Sequence, residues 1–199
     1  DVIPRAWFKG FWDLLAFSMQ MILIVVTGEA IVETRPVKAG LKRLAAVPST
    51  ARGMLLLLAY VALAAGWLHW GFGLIGAALL AREMAKRAEA LSIPVDYPLL
   101  GTGAYLSMLL WHAGMTATAP LLINTPGHFL EKQIGLVPLS ETIFLPMNLM
   151  ACTVLFLICP WILAGMNPSK PRRASQFIIF ENAPTAPKNT AKTPTRAER

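Results

Sequence analysis

The chain has 199 residues, of which 55% are hydrophobic and 15% charged, and a formal net charge of +7. A soluble domain carries about 25% charged residues, so this composition excludes an ordinary globular enzyme and points to an all-α integral membrane protein. The basic residues sit in connections and tail between apolar runs, as in cytoplasmic loops, which argues against a nucleic-acid partner.

The first residue is Asp1 rather than Met. No short signal sequence with a small-residue cleavage site follows, and the expectation is a fragment or a processed product. Block one, about 11–32, reads "FWDLLAFSMQMILIVVTGEAIV" and is long enough for one crossing. Asp13 and Glu29 lie toward its ends, where acidic side chains reach the interface. Glu29 is also a candidate proton carrier, because acids within a membrane are often functional. Gln20 is the remaining polar candidate in the block.

Block two, 54–81, runs 28 residues without a charge and contains "GWLHWGFGLIG". One straight helix of that length is roughly 42 Å long against a hydrocarbon core of about 30 Å. Two full crossings need about 40 residues. A re-entrant hairpin fits: Met54–Leu68 enters, "HWGFG" turns, and Leu74–Ala81 returns. Glycine offers the backbone freedom of a tight turn, and irregular backbone at membrane depth needs protein or water around it. Charge counting agrees. Loop 33–53 carries Arg35, Lys38, Lys42, Arg43 and Arg52, and loop 82–97 carries Arg82, Lys86 and Arg87, whereas 125–141 has only Lys132. Both basic loops and the tail face the cytoplasm if block two returns to its own side.

Block three, 98–124, starts as a helix and then meets "HAGMTATAP", where Gly114 and Pro120 interrupt it. Thr118 is placed to cap a second half-helix. Block four, 142–165, is a plain span. Its Cys152 and Cys159 fall roughly on one helix face and read as small core residues rather than a disulfide or metal pair. Residues 167–199, rich in Pro, Thr, Ala and Lys, read as a disordered tail or linker. A broken helix beside a re-entrant hairpin is the arrangement of secondary-transporter sites.

The segments "GFWDLLAFSMQMILIVVTG" (10–28), "WGFGLIGAALLARE" (70–83), "DYPLLGTGAY" (96–105), "APLLINTPGH" (119–128) and "GLVPLSETIF" (135–144) resemble the bacterial short-chain fatty acid transporter family. The resemblance covers most of 10–165 and departs from the family pattern at His69, at Glu29 and in "HAGMTAT". It implies the amino-terminal half of an inverted-repeat secondary carrier, without its initial helix, in a bacterial inner membrane. Acetoacetate and butyrate are the implied substrates. The implied partners are the lipid bilayer and either the second half or another copy of this chain. No cofactor is expected beyond a coupling H+ or Na+, and no enzymatic activity. Carriage of other small anions and a non-transporting membrane subunit are the alternatives.

No Arg or Lys lies within the apolar blocks, so a carboxylate would be held by hydroxyls, backbone amides and helix N-termini. Thr116 and Thr118 lead as substrate contacts, with bonding back to their own helix as the alternative. His69, Gly71 and Gly73 join them from the hairpin tip. Asn124 and Thr125 form a turn able to present carbonyls to a cation, or an ordinary loop turn. His69 or His112 would bind substrate, shuttle a proton or simply pack, and His128 reads as a loop residue. Trp67, Trp70 and Trp111 read as packing around the breaks.

Overall fold

The structure, a computed structural model, describes residues 2–177, and among these every regular element is helical. Helices α1 (Val2–Asp13) and α2 (Leu15–Val32) are nearly continuous, meeting at Leu14 with φ −88° and ψ −3°. The stretch 33–53, read as a loop, contains α3 (Arg35–Ala46), which opens with Pro36 in its first turn. Leu41 and Ala45 are buried on one side of α3, while Arg35, Lys38, Lys42 and Arg43 stay exposed. A basic run on an amphipathic helix has the same charge signature as a basic loop, which explains the difference.

The hairpin consists of α4 (Ala51–Leu68) and α5 (Trp70–Ala90), joined by His69 alone in an extended conformation, φ −158° and ψ 109°. Thr50 starts α4 by accepting a hydrogen bond from the Gly53 amide at 3.1 Å, which satisfies one of the donors free at a helix start. The two arms share a core in which Ala59 and Ala62 of α4 accompany Ala77, Ala81, Ala85 and Ala88 of α5. Small side chains let the arms approach closely, and in lipid dispersion between close surfaces replaces the hydrophobic effect. Leu55, Leu58, Leu80, Met84 and Leu100 complete the packing and are fully buried.

Helix α6 (Tyr97–Tyr105) is followed by two 3-10 turns, Leu106–Met108 and Trp111–Ala113, and then by the short α7 (Thr118–Ile123). The α-helix thus ends before "HAGMTATAP" begins, and the break spans 106–117. Then come α8 (Glu131–Ile134), a 3-10 turn at Leu139–Glu141, and α9 (Pro146–Gly165). Pro146 sits in the first turn of α9, where a missing N–H costs nothing. Cys152 and Cys159 are free, and Cys152 packs with Leu63 and Leu110. Among the described residues four helical stretches are long and apolar enough to cross a membrane: Val2–Val32, Ala51–Leu68, Tyr97–Ile123 and Pro146–Gly165.

Residues 167–177 correct the expectation of a tail that starts at 167, because they fold back on the open end of the hairpin. Asp96, 2% exposed, caps α6 by accepting from the Leu99 amide at 3.1 Å and also accepts from the Arg172 amide and guanidinium at 3.0–3.2 Å. Asn167 bonds the Asp96 amide and the Pro94 carbonyl at 3.0 Å. Ser175 donates twice to Glu89 at 2.9 Å. Burial alone would push the Asp96 carboxyl up, but the Arg172 guanidinium and the two amides outweigh it and hold it below its ordinary value. The part of the expected tail at 178–199 lies outside the described residues.

Candidate functional site

A helix that ends leaves carbonyls without partners, and one that starts leaves N–H groups without them. The one-residue turn at His69 creates both at the tip. The side chain of His69 turns back, and its Nδ1 accepts from the Phe72 amide at 3.1 Å. The Trp70 amide donates to Thr116 Oγ1 at 3.0 Å, and the Met115 amide donates to the Trp67 carbonyl at 2.8 Å. The tip and the broken helix therefore complete each other's backbone. Extended conformations at Gly114 (φ −105°, ψ −176°) and Ala117 (φ −62°, ψ 128°) carry the chain across the tip. Trp111 Nε1 braces this crossing on the Thr116 carbonyl at 3.1 Å, and the Trp70 and Trp111 rings lie 4.9 Å apart.

The glycines serve close approach rather than turning. Among the described glycines only Gly127 and Gly135 have positive φ, so the expected conformational role of Gly71 and Gly73 is corrected. A Cβ on Gly66 would fall on the Ser107 carbonyl, and one on Gly114 would fall on the Trp67 carbonyl. A Cβ on Gly73 would come within 2.6 Å of the Gly66 Cα, and one on Gly28 within 2.8 Å of the Phe72 amide nitrogen. Helix α2, the two hairpin arms and the 3-10 turns thus meet backbone to backbone at a node of four glycines. The α6 helix gives way to tighter winding at this contact, where the Ser107 backbone lies against Gly66.

The seven candidate residues fall in three places. His69, Gly71, Gly73 and Thr116 are at the tip, where Gly71 and Gly73 are buried against neighbouring backbone. Thr118 lies beside α2, its hydroxyl 3.9 Å from Met21 Sδ, and Ala117 rather than Thr118 is the N-cap of α7. Asn124 and Thr125 stand at the far end of α7, about 10 Å further along. There Thr125 bonds back to the Leu121 carbonyl at 2.7 Å. Thr125 also lines a cleft of about 500 Å³ with Lys9, Asp13, Gln20 and Lys132. His112 is exposed and stacks on Trp111 at 4.1 Å, while His128 is buried and bonds the Gly135 carbonyl and the Leu130 amide.

Sequence reasoning missed two polar residues here. Asn148 donates from its amide to the Ala113 and Ile143 carbonyls at 3.0 and 2.7 Å, tying α9 to the break. Ser107 is fully buried, and its hydroxyl, like Trp70 Nε1, has no partner among the described residues. Both are uncharged polar residues inside apolar blocks, which was the available signal.

A family profile described as short chain fatty acid transporter matches residues 2–179. Two curated relatives, each provisionally named a short-chain fatty acid transporter, come from Escherichia coli (strain K12) and Haemophilus influenzae. The first is 39% identical over 82% of this chain and 36% of its own length. The second is 32% identical over 99% of this chain and 45% of its own length. The chain therefore spans less than half the length of either relative. No solved structure matches it. With four helices able to cross a bilayer, the relatives place the chain among multi-pass membrane proteins.

Proposed function

Because the chain belongs to the short chain fatty acid transporter family, we propose that it is the amino-terminal half of a secondary carrier for short-chain monocarboxylates such as acetoacetate or butyrate. The carrier works in a bacterial inner membrane, with segments 33–53 and 82–97, which hold α3 and the end of α5, and the tail on the cytoplasmic side. The observation that carries this reading is the helical hairpin whose tip is completed by a broken helix, since such paired irregularities hold substrates in secondary transporters. The apolar arms also suit re-entry. The uncharged part of the returning arm, Trp70–Ala81, is about 18 Å long, short of the roughly 30 Å core. Their open ends carry Arg52, Arg82, Lys86 and Arg87 together on one side.

The bonds that shape the tip leave two donors suited to a carboxylate. His69 Nδ1 is occupied as an acceptor, so the ring proton of neutral His69 sits on Nε2. Thr116 Oγ1 accepts from Trp70, so its own O–H is free to donate. Neither donor has a partner among the described residues. Hydrogen bonds from such donors to a charged carboxylate are worth about 1.5–3 kcal/mol each. Transport then alternates access as hairpin and broken helix move together against the remaining helices, coupled to H+ or Na+. Gly71 and Gly73 act here as spacers, while Thr118, Asn124 and Thr125 stand along α7 away from the tip.

Radiolabelled butyrate uptake into vesicles tests this, comparing the full carrier, bearing this chain as its amino-terminal half, with residues 1–199 alone. Saturable uptake by the full carrier and none by the short chain is expected. Uptake by neither, with both inserted, would overturn the carrier reading, and robust uptake by the short chain would overturn the half-carrier reading.

A further inference from the structure

The exposed surfaces of the membrane helices differ in polarity. On α9 the exposed large side chains include Met147, Met150, Val154, Leu157, Ile158 and Ile162, all suited to lipid contact. The exposed hydroxyl on that side, Thr153, bonds back to the Leu149 carbonyl at 2.8 Å. On the span Tyr97–Ile123 the exposed stripe instead contains Tyr105 and His112 around Leu109, together with Thr102, whose hydroxyl bonds back to the Pro98 carbonyl at 3.1 Å as that of Thr153 does to its own helix. Tyr105 is 66% exposed. These residues line an open groove of about 430 Å³ with Leu106, Met108 and Trp111.

Depth makes this polarity costly. Gly103 packs on Leu58 and Leu163 in the body of the hairpin, and Ser107 packs on Gly66 one turn below the tip. Tyr105 therefore lies at mid-hairpin and His112 at the level of the tip. The backbone between them is wound as 3-10 turns, with carbonyls off the α-helical ladder. Lipid hydrocarbon offers no hydrogen bonds to an imidazole, a phenol or an irregular backbone. This face needs protein, whereas the face of α9 does not.

We propose that the groove of Thr102, Tyr105, Leu109 and His112 is where the carboxy-terminal part of the full carrier docks, leaving α9 to the lipid. The occupant follows from length: more than half of each curated relative lies outside the region matched by this chain. The docked surface supplies hydrogen-bond partners to His112 and Tyr105 and closes the break from the bilayer. The inference rests on the half-carrier reading.

The test places single spin labels in the full carrier, reconstituted in liposomes without Cys152 and Cys159, through Thr102→Cys, Tyr105→Cys, Leu109→Cys, His112→Cys, Val154→Cys and Ile158→Cys. Accessibility to dissolved oxygen is read for each, alongside butyrate uptake by the same preparation. Labels at 154 and 158 should report open lipid, and those at 102, 105, 109 and 112 several-fold lower accessibility. Four positions keep the test valid should one substitution fail to fold. Lipid-like accessibility along the groove would overturn the docking proposal even with normal uptake. A disulfide between two copies through Tyr105→Cys would overturn it in favour of a second copy. Loss of uptake by the unlabelled carrier would instead count against the carrier reading.

Discussion

Gly66→Ala adds one methyl group at the point where the hairpin meets the broken helix. The new Cβ would overlap the carbonyl of Ser107, and the next atoms it meets are the Ser107 carbonyl carbon and Cα at 2.6 and 2.8 Å. All three belong to backbone, so no side chain can rotate away, and either α4 or the 3-10 turn must move. Ordinary overpacking costs about 1–3 kcal/mol, and an overlap with fixed backbone belongs at the upper end, about 3 kcal/mol. For a chain of this size that is a fall in Tm of roughly 6–12 °C. Gly101→Ala is the control, because a Cβ there meets nothing within 4 Å, and in a helix the change stabilises by about 0.5–1 kcal/mol. Fluorescence-detected size exclusion of heated, detergent-solubilised full carrier measures both. A Gly66→Ala protein as heat-stable as Gly101→Ala would refute the close-packed node.

His69→Asn should keep near-normal uptake, because Asn caps a helix start and still donates. His69→Asp should fold with its cap intact yet lose transport by charge repulsion, and His69→Ala should lose about tenfold or more in kcat/KM; equal uptake by all three would remove His69 from the site. Thr116→Ser should preserve the bond to the Trp70 amide and Thr116→Val should break it, so uptake should separate the two variants. The clasp at Asp96 should be pH-sensitive with a defined sign. A carboxyl held below its ordinary value stabilises the fold fully above its unfolded pKa of about 3.9 and loses that contribution as pH falls through the native value. Asp96→Asn should flatten the acid limb of a Tm-versus-pH curve, and an unchanged limb would dismiss the clasp.

The all-helical membrane character and the doubling back within 54–81 were legible because both follow from local counts of apolar and charged residues. The discontinuity after α6 was legible from Gly114 and Pro120, but its start was not. Residues 106–111, apolar but for Ser107, read as helix; the α-helix is lost at the close contact between Ser107 and Gly66, 41 positions away, which carries no local signal. The glycines were conspicuous and their use was misread, because a glycine that permits a turn and one that permits contact look identical in sequence. Asp96 and Arg172, 76 residues apart, carry no pattern that pairs them. His69 and Thr116 were legible as members of the two irregularities, which the structure brings together at the tip. Thr125, by contrast, faces a different cleft.

The central claim is that the hairpin enters the membrane and returns, so that its tip and the broken helix form half of a carboxylate site. In cells expressing the full carrier without Cys152 and Cys159, single substitutions Ser49→Cys, Ser92→Cys, Ser175→Cys and Ser140→Cys can be challenged with a membrane-impermeant thiol reagent from outside. Ser49 and Ser92 flank the hairpin's open end, Ser175 bonds Glu89 there, and Ser140 lies on the connection between α8 and α9. The account predicts labelling of Ser140→Cys alone, with the other three reacting only after the membrane is opened. Labelling of Ser92→Cys from outside while Ser49→Cys stays protected would mean that the segment crosses once, and would contradict the claim.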